Sequence, residues 1–171
     1  MVIAMTKGYS AQTAGAKLCI DLASDWASEC LQELNNKDNL FLMDYGAADG
    51  GTATDFWKRI IDGIKERKTT SQISLIGNDL FSNDNQALIK NLSIHSSCNE
   101  SVSTFVCAGS FYDQLVPNGL IDFGFSATAM HWLNKKVDTL EDHTHVLASN
   151  NKNARKDFLE QALLDWNQIL E

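Results

Sequence analysis

Acidic residues and glycines are concentrated in one short stretch of the chain, residues 44–52, which reads DYGAADGGT. Asp44 follows the apolar run 40–43, and a helical pattern begins at about residue 54. A glycine-rich turn between a buried strand and a helix lets a ligand approach the backbone and offers it free N–H groups. Asp49 would repel a pyrophosphate, and the glycine spacing departs from the GxGxxG pattern of dinucleotide-binding turns. The turn therefore favours a ligand that carries positive charge and no phosphate.

S-adenosylmethionine, with its sulfonium and ammonium groups, is a ligand of this kind. On this interpretation Gly46 and Gly50 admit the ligand, Asp49 lies inside the turn, and Asp44 accepts a hydrogen bond from a cationic group. The alternative is a purely structural turn, in which the glycines reverse the chain and Asp44 braces it. The turn alone does not decide between the two. A nicotinamide dinucleotide is disfavoured because the turn is acidic.

Polar and aromatic residues follow two further predicted strands. Asp79 comes just after the apolar run 73–76, at a position where an acidic residue in nucleotide-binding sheets accepts hydrogen bonds from ribose hydroxyls. The alternative for Asp79 is a helix cap or a solvated strand end. Ser110 and Phe111 follow the third strand and offer a hydroxyl and an aromatic face to an adenine ring. Because ligands of open parallel sheets bind beyond the carboxyl ends of the strands, these strand ends predict one site.

Predicted strands and helices alternate along the chain, which indicates an α/β fold. A short continuous apolar run predicts a buried parallel strand at 40–43, and further strands are predicted at 73–76, 103–108 and 120–125. Apolar residues at helical spacing predict helices at 10–34, 54–67, 84–92 and from about 154 to the end of the chain. We therefore expect a doubly wound, parallel sheet in a single domain, residues 1–171.

Three of these helices have an apolar stripe along one face. In the first helix the expected inner face is Ala14, Leu18, Leu22, Trp26, Cys30 and Leu34. In the second it is Phe56, Ile60, Ile61 and Ile64. In the last helix the stripe is Phe158, Leu159, Ala162, Leu163, Trp166 and Leu170.

The composition excludes several classes of function. The chain has 171 residues with 22 acidic against 14 basic side chains, a net charge of −8, so bulk electrostatic binding to nucleic acid is not expected. No apolar run is long enough for a bilayer, and no secretion signal is visible, so we expect no membrane association. Four cysteines without a CxxC pair predict reduced thiols, no metal site and a cytoplasmic location.

Several motifs of the chain resemble those of one enzyme family. Residues 109–117, GSFYDQLVP, closely resemble the G-S-F-Y-x-x-L-x-P signature of the SABATH methyltransferases, and residues 120–133 look like the family's block that ends in H-S-S-Y-S-L-H-W-L. Residues 44–52 are similar to its D-L-G-C-S-S-G-P-N-T motif, and residues 77–84 to its N-D-L-P-x-N-D segment. Because the matches run in one order from Tyr9 to Leu133, they are far more specific than the glycine-rich turn alone.

The resemblance implies a Rossmann-like class I methyltransferase sheet, with strands in the order 3-2-1-4, and S-adenosylmethionine-dependent methylation of a small molecule. The acceptor atom would be a carboxylate oxygen, or a ring nitrogen as in the theobromine branch. The residues that match the family's cofactor-binding positions are Tyr9, Thr13, Asp44, Asp79, Leu80, Ser110 and Phe111. Trp132 matches the tryptophan whose indole N–H binds the acceptor's carboxylate, with Met130 and His131 beside it. Core packing of Met130 and Trp132 is the alternative.

The implied reaction needs no general base, because a carboxylate is already ionised near neutral pH. Catalysis then consists mostly of positioning the reacting atoms in a pocket that excludes water. We therefore assign no catalytic residue and no metal ion. Two departures from the family weaken any transfer of salicylate-type specificity. Ala16 stands where the family has a glutamine that helps grip the carboxylate, and Thr128 stands where it has an aromatic residue.

The chain is also much shorter than members of this family. We expect an incomplete sheet of about four strands, most of the helical cap missing, and a fourth strand left as an exposed edge. Phe123, Phe125 and the stripe on the last helix would then lack partners, unless a second copy of the chain covers them. Two alternatives follow for function. The chain is an active methyltransferase, its acceptor site completed by self-association or tolerating an open form, or it is a cofactor-binding remnant that performs no chemistry.

Overall fold

A computed structural model describes residues 8–34, 37–67, 72–137, 139–143 and 145–170. The chain divides into two units, Met1–Ala129 and Met130–Glu171, and each is described by itself. The single domain expected over residues 1–171 stays a prediction. Among the described residues, no helix has both the length and the apolar composition needed to cross a bilayer. A cytoplasmic location stays a prediction.

The first unit is built on a sheet of four strands, β1 Asn39–Tyr45, β2 Gln72–Asp79, β3 Val102–Ala108 and β4 Phe123–Phe125. Their order across the sheet is β3-β2-β1-β4, and every neighbouring pair is parallel. The predicted strand order and the Rossmann-like α/β class are confirmed. Five α-helices accompany the strands in the described part of the chain: α1 Tyr9–Gln12, α2 Ala14–Cys30, α3 Thr54–Arg67, α4 Asn85–Cys98 and α5 Lys152–Leu170.

β4 is shorter than the predicted strand 120–125 because of the residue that precedes it. The carboxylate of Asp122 accepts the N–H of Phe41 at 2.9 Å, and the Asp122 N–H donates to the Phe41 carbonyl, also at 2.9 Å. The side chain of Asp122 thus takes the backbone donor that a neighbouring strand would use. The regular ladder with β1 begins only at Phe123.

The predicted inner face of α3 is confirmed, since Phe56, Ile60, Ile61 and Ile64 are all buried. Trp57 is buried on the same helix, with no exposed surface. The ring of Phe125 stacks on that of Phe56 with centroids 4.0 Å apart, and Trp57 meets Phe123 edge-on at 6.2 Å. The expectation that Phe123 and Phe125 would lack partners is therefore wrong, because α3 supplies aromatic partners for the short edge strand.

α4 is longer than the helix predicted over 84–92. It begins after Asp84, whose carboxylate accepts the N–H of Ala87 at 3.1 Å. Beyond residue 92 the serine hydroxyls bond to carbonyls of their own helix, as when Ser97 donates to Ser93 at 2.7 Å. Serines whose hydroxyls bond to carbonyls of the same helix do not end it. α4 packs against β2 and β3.

The predicted inner face of α2 is wrong. Leu18, Leu22 and Trp26 are 60%, 69% and 74% exposed, and the buried residues of the helix are Ile20, Ser24 and Ala27. These two sets lie on opposite sides of the helix. The small side chains of the buried set let α2 lie close to α3, with which it is in contact.

Two ion pairs hold α2 in this orientation. Lys17 reaches Asp55 at 2.7 Å, and Arg59 reaches Asp25 at 2.5 Å, so that each pair joins α2 to α3. Both pairs are exposed, and each contributes little to stability by itself.

In the second unit, the only regular elements among the described residues are α5 and the short 3₁₀ helix Val146–Ala148. The predicted helix is confirmed up to Leu170, and residue 171 lies outside the described residues. Its apolar stripe is largely exposed, as expected: Leu159, Leu163, Trp166 and Leu170 are each more than half exposed.

Candidate cofactor site

The glycine-rich turn follows β1 and carries three residues with positive φ. Gly46 and Gly50 both have φ of +74°, and Ala48 has φ of +52°. The N–H groups of Gly46 and Ala47 donate to the carbonyl of Asn78 on β2, at 3.0 and 2.8 Å. A Cβ atom at position 46 would overlap that of Ala129 and lie 3.6 Å from the ring of Phe111. The fold therefore needs glycine at this position for two reasons, the backbone conformation and the crowding above it.

Asp79 ends β2 and holds the turn beside it. Its Oδ2 accepts the Ala48 N–H at 2.7 Å, and its Oδ1 accepts the N–H of Leu80 at 2.8 Å. The side-chain amide of Asn83 donates to the carbonyl of Ala48 at 2.7 Å. Both backbone groups of Ala48 are thus fixed, which explains how a residue other than glycine is held at positive φ. Burial raises the pKa of Asp79, and the hydrogen bonds from the N–H groups of Leu80 and Ala48 oppose that shift.

Asp44 lies at the end of β1 and is only 4% exposed. Its Oδ2 accepts the indole N–H of Trp57 at 2.8 Å. Burial raises the pKa of Asp44 to about 6, the Trp57 hydrogen bond opposes the shift, and the charge of Asp79 adds to it. The two carboxylates predicted to meet at the strand ends therefore interact, and neither forms an ion pair with a cationic side chain among the described residues.

Asp49 joins the turn to the N-terminal segment. Its Oδ2 accepts both the N–H and the hydroxyl of Ser10, each at 3.0 Å, and its Oδ1 accepts the N–H of Gly51 at 3.2 Å. Direct contact between Asp49 and the cofactor stays a prediction; what the structure shows is a brace. This brace brings α1 beside the turn, and with it Tyr9 and Thr13, whose hydroxyl donates to the Tyr9 carbonyl at 2.8 Å.

Ser110 and Phe111 follow β3 at the same edge of the sheet. The hydroxyl of Ser110 accepts the N–H of Tyr112 at 3.2 Å, and the ring of Phe111 lies 4.7 Å from that of Tyr112. Phe111 also lies over the position of Gly46, so the structure brings the first and third strand ends together. The predicted residues of all three strand ends therefore lie at one edge of the sheet.

Met130, His131 and Trp132 belong to the second unit. The ring of His131 lies 5.0 Å from that of Trp132, which is 53% exposed, so packing in the core does not account for this tryptophan. The segment is tied to α5 by Asp165, whose carboxylate accepts the N–H of Asn134 at 2.8 Å. The role of these three residues in binding an acceptor stays a prediction.

Sequence reasoning missed four residues that organise the site: Ser10, Trp57, Asn78 and Asn83. Trp57 was not part of the predicted inner face of α3, and nothing in its spacing pointed to a hydrogen bond with Asp44. Asn78 and Asn83 lie inside the segment that resembles the family's N-D-L-P-x-N-D motif, so this motif was the signal for them.

The family is decided by a match over nearly the whole chain. The sequence model of a family described as SAM dependent carboxyl methyltransferase matches residues 6–171. The chain belongs to the SABATH family of S-adenosylmethionine-dependent carboxyl methyltransferases. The resemblance found in the motifs is thereby confirmed. The predictions of a methyltransferase and of S-adenosylmethionine as its cofactor are confirmed at the level of the family.

Two curated SABATH relatives are each 29% identical to the chain. One is a probable 7-methylxanthine methyltransferase of Theobroma cacao, aligned over 55% of this chain and 28% of its own length. The other is gibberellic acid methyltransferase 2 of Arabidopsis thaliana, aligned over 55% of this chain and 27% of its own length. The aligned part of the chain thus spans less than a third of these relatives.

A solved structure, described as loganic acid methyltransferase with SAH, superimposes on 99% of this chain with a TM-score of 0.80 and 20% identity. The chain covers 53% of that protein. At this level of identity the likeness supports the SABATH fold.

The residues at this edge of the sheet fit S-adenosylmethionine by their chemistry. Asp44, which is buried, and Asp79, which is half-buried, form an acidic pair that makes no ion pair with a cationic side chain of the described residues, and a cationic ligand would offset that charge. The space above Gly46 is filled by Ala129 and Phe111, so contact of Gly46 with the cofactor stays a prediction. In the described part of the chain, no group of three potential ligand side chains could hold a metal ion.

Proposed function

We propose that this chain binds S-adenosylmethionine at the edge of the sheet where Asp44 and Asp79 meet, and that it methylates the carboxylate of a small molecule. The observation that carries the proposal is the acidic pair itself. Burial raises the pKa of both carboxylates, and the charge of Asp79 raises the pKa of Asp44 further. Such a pair favours a ligand that brings positive charge and hydroxyl donors to the strand ends.

Each strand end contributes a different kind of contact in this proposal. Asp44 holds the cationic part of the cofactor, and Asp79 accepts hydrogen bonds from the ribose hydroxyls. Ser110 and Phe111 offer a hydroxyl and an aromatic face to the adenine. Tyr9 and Thr13, brought close by the Asp49 brace, cover the site from the N-terminal side. When bound, S-adenosylmethionine supplies an electrophilic methyl group on a sulfonium.

The acceptor that fits best is a carboxylate, because it is ionised at neutral pH and requires no base. Two of the similar proteins carry the names of acids, gibberellic and loganic, which supports this class. The indole N–H of Trp132 is the proposed donor to the carboxylate, and Met130 and His131 are proposed to contact the acceptor beside it. Acceptance by a ring nitrogen is the variant that the methylxanthine relative suggests.

The test is transfer of a labelled methyl group from S-adenosylmethionine to a panel of small carboxylic acids and one methylxanthine. We expect a methyl ester with at least one acid, and loss of most of this product in Trp132→Ala. The matched control is Trp26→Ala, which removes another exposed tryptophan, on α2, and should leave product formation unchanged. Binding of the cofactor without product from any acceptor would support the alternative, a cofactor-binding chain without turnover. Equal loss in both variants would remove Trp132 from the proposal.

A further inference from the structure

Asn78, the second-last residue of β2, connects the two strands on either side of it. Its carbonyl accepts the N–H groups of Gly46 and Ala47, at 3.0 and 2.8 Å, at the start of the turn after β1. Its side-chain Nδ2 donates to the carbonyls of Cys107 and Gly109, at 2.9 and 3.0 Å, at the end of β3. β1 and β3 are not neighbours in the sheet, so this single residue joins them beyond the regular ladder.

The chemistry of these contacts requires an amide at position 78. Two carbonyls converge on one nitrogen, and an amide NH₂ group supplies two donors. A carboxylate would set oxygen against both carbonyls, and an apolar side chain would leave them without this donor. The same repulsion fixes the orientation of the amide, because the flipped form would direct Oδ1 at the carbonyls.

The other end of the amide indicates that folding alone does not account for the residue. Asn78 has no exposed surface, and its Oδ1 has no hydrogen-bond partner among the described residues. A buried acceptor without a partner lowers stability, and each case in a native protein calls for a reason. The amide of Asn78 thus makes two hydrogen bonds through Nδ2 while its Oδ1 has no partner among the described residues.

The contacts at Gly109 show where this arrangement acts. Its carbonyl accepts from Asn78, and its N–H donates to the carbonyl of Asp79 at 2.9 Å. A Cβ atom here would lie 2.7 Å from Cδ2 of Leu115, so the Leu115 side chain lies against Gly109. Ser110 follows directly, and its distance from the turn after β1 is set through β2.

We infer that Asn78 is a positioning residue for the cofactor site. It holds the turn 46–51 and the segment 109–111 at a fixed separation, so that Asp44, Asp79 and Ser110 line one site. It does not touch the cofactor, since it is fully buried. This inference rests on the proposed function of the site, but the contacts of Asn78 can be tested separately from it.

The experiment compares Asn78→Asp with Leu75→Ala in the full chain. Leu75 lies on the same strand and is also fully buried, but it is paired with Leu42 and Thr104 in the interior of the sheet. We expect Asn78→Asp to weaken the binding of S-adenosylhomocysteine at least tenfold in titration calorimetry. Leu75→Ala should lower the melting temperature by at least as much as Asn78→Asp does. Its affinity for S-adenosylhomocysteine should stay within twofold of the wild-type value. If Asn78→Asp does not fold, Asn78→Ser retains one donor and should show an intermediate loss.

Hydrogen exchange followed by mass spectrometry provides a readout that needs no ligand. Peptides that contain residues 109–111 should exchange faster in Asn78→Asp and not in Leu75→Ala. Peptides that contain residues 46–50 should be unchanged in both variants, because Gly46 and Ala47 bond to the backbone carbonyl of residue 78. The inference is overturned if affinity and exchange match the wild type, or if both variants lose affinity in proportion to their loss in melting temperature. If the wild type fails to bind S-adenosylhomocysteine, the proposed function fails, and the exchange measurement still decides whether the side chain of Asn78 holds the segment 109–111.

Discussion

Trp57 donates its indole N–H to the carboxylate of Asp44 at 2.8 Å, and both side chains are buried. The hydrogen bond joins the first turn of α3 to the end of β1, across the glycine-rich turn. It also opposes the effect of burial on the pKa of Asp44. The indole thus serves two purposes, filling the core beside Phe123 and orienting an acidic side chain at the edge of the sheet.

Replacement of Trp57 by Phe should destabilise the protein in a pH-dependent manner. Loss of the donor leaves an ionised carboxylate buried without its hydrogen bond, which we expect to cost about 1–3 kcal/mol at pH 7. The cost should shrink at pH 5, where Asp44 is mostly protonated. Urea denaturation at both pH values measures it. The double variant Trp57→Phe with Asp44→Asn shows how much of the destabilisation comes from packing rather than from the hydrogen bond. If Trp57→Phe lowers the free energy of unfolding equally at both pH values, packing is the only cause.

Asp44→Asn should change how stability depends on pH. The pKa of Asp44 rises from an ordinary value of 3.8 to about 6 in the folded chain, so between these values the folded state binds the extra proton. The stabilisation from protonated Asp44 is therefore present below pH 3.8 and is lost as pH rises through 6. At about 1.4 kcal/mol per unit of pKa shift, the wild type should lose about 3 kcal/mol relative to Asp44→Asn between pH 4 and pH 7.

Urea denaturation of the wild type and Asp44→Asn at a series of pH values tests this sign. Asp62→Asn is the control, because Asp62 is an exposed acidic residue that pairs with Lys58 at the surface. Parallel pH curves for the wild type and Asp44→Asn would contradict the assignment of a raised pKa to Asp44.

Gly46→Ala should destabilise the protein more than Gly119→Ala. Both glycines have positive φ, +74° and +73°, so both substitutions introduce similar backbone strain of about 1 kcal/mol. Only the Cβ at position 46 meets a neighbour, that of Ala129, whereas position 119 has nothing within 4 Å. We expect crowding to add about 1–3 kcal/mol.

The free energy of unfolding of the two variants measures the difference directly. Ala129→Gly combined with Gly46→Ala should restore most of the free energy of unfolding that is lost through crowding. It should not restore the part that is lost through backbone strain. Equal destabilisation by the two single variants would show that crowding above the turn is unimportant.

Asp49→Ala should release the N-terminal segment from the turn. Its carboxylate provides the acceptors for the N–H and hydroxyl of Ser10, so the amide of Ser10 loses its protection when the side chain is removed. Hydrogen exchange of the peptide that contains residues 8–13 should become at least tenfold faster. Asp55→Ala, which removes an exposed partner of Lys17 on α2, is the control and should not change this exchange. Unchanged exchange in Asp49→Ala would mean that the brace does not hold α1.

The strands and the candidate site were predictable from the sequence for a physical reason. Strands buried on both faces leave continuous apolar runs, and their carboxyl ends must meet at one edge of a parallel sheet. Asp44 and Asp79 could therefore be placed together, and the motifs supplied the strand order. The pairing of Asp44 with Trp57 could not be predicted, because it depends on how α3 packs across the turn.

The orientation of α2 was not predictable from its own pattern. Its largest apolar residues, such as Leu22 and Trp26, are exposed, while the small residues Ser24 and Ala27 are buried. Periodicity ranks faces by hydrophobicity, whereas close approach to α3 favours small side chains. The start of β4 was predicted too early, because the side chain of Asp122 takes the place of a backbone partner there.

The central claim is that Asp44 and Asp79 hold the cofactor, and the affinity for S-adenosylhomocysteine in titration calorimetry at pH 7.5 tests it most directly. Asp44→Asn removes the charge and keeps an oxygen that can accept from Trp57, whereas Asp79→Asn removes the charge and also one of the two acceptors for the Ala48 and Leu80 N–H groups. Asp62→Asn is the matched surface control. We predict that the wild type and the control bind equally, and that each site variant binds at least tenfold more weakly, equivalent to about 1.4 kcal/mol. Wild-type affinity in both site variants, or no binding by the wild type, would contradict the claim.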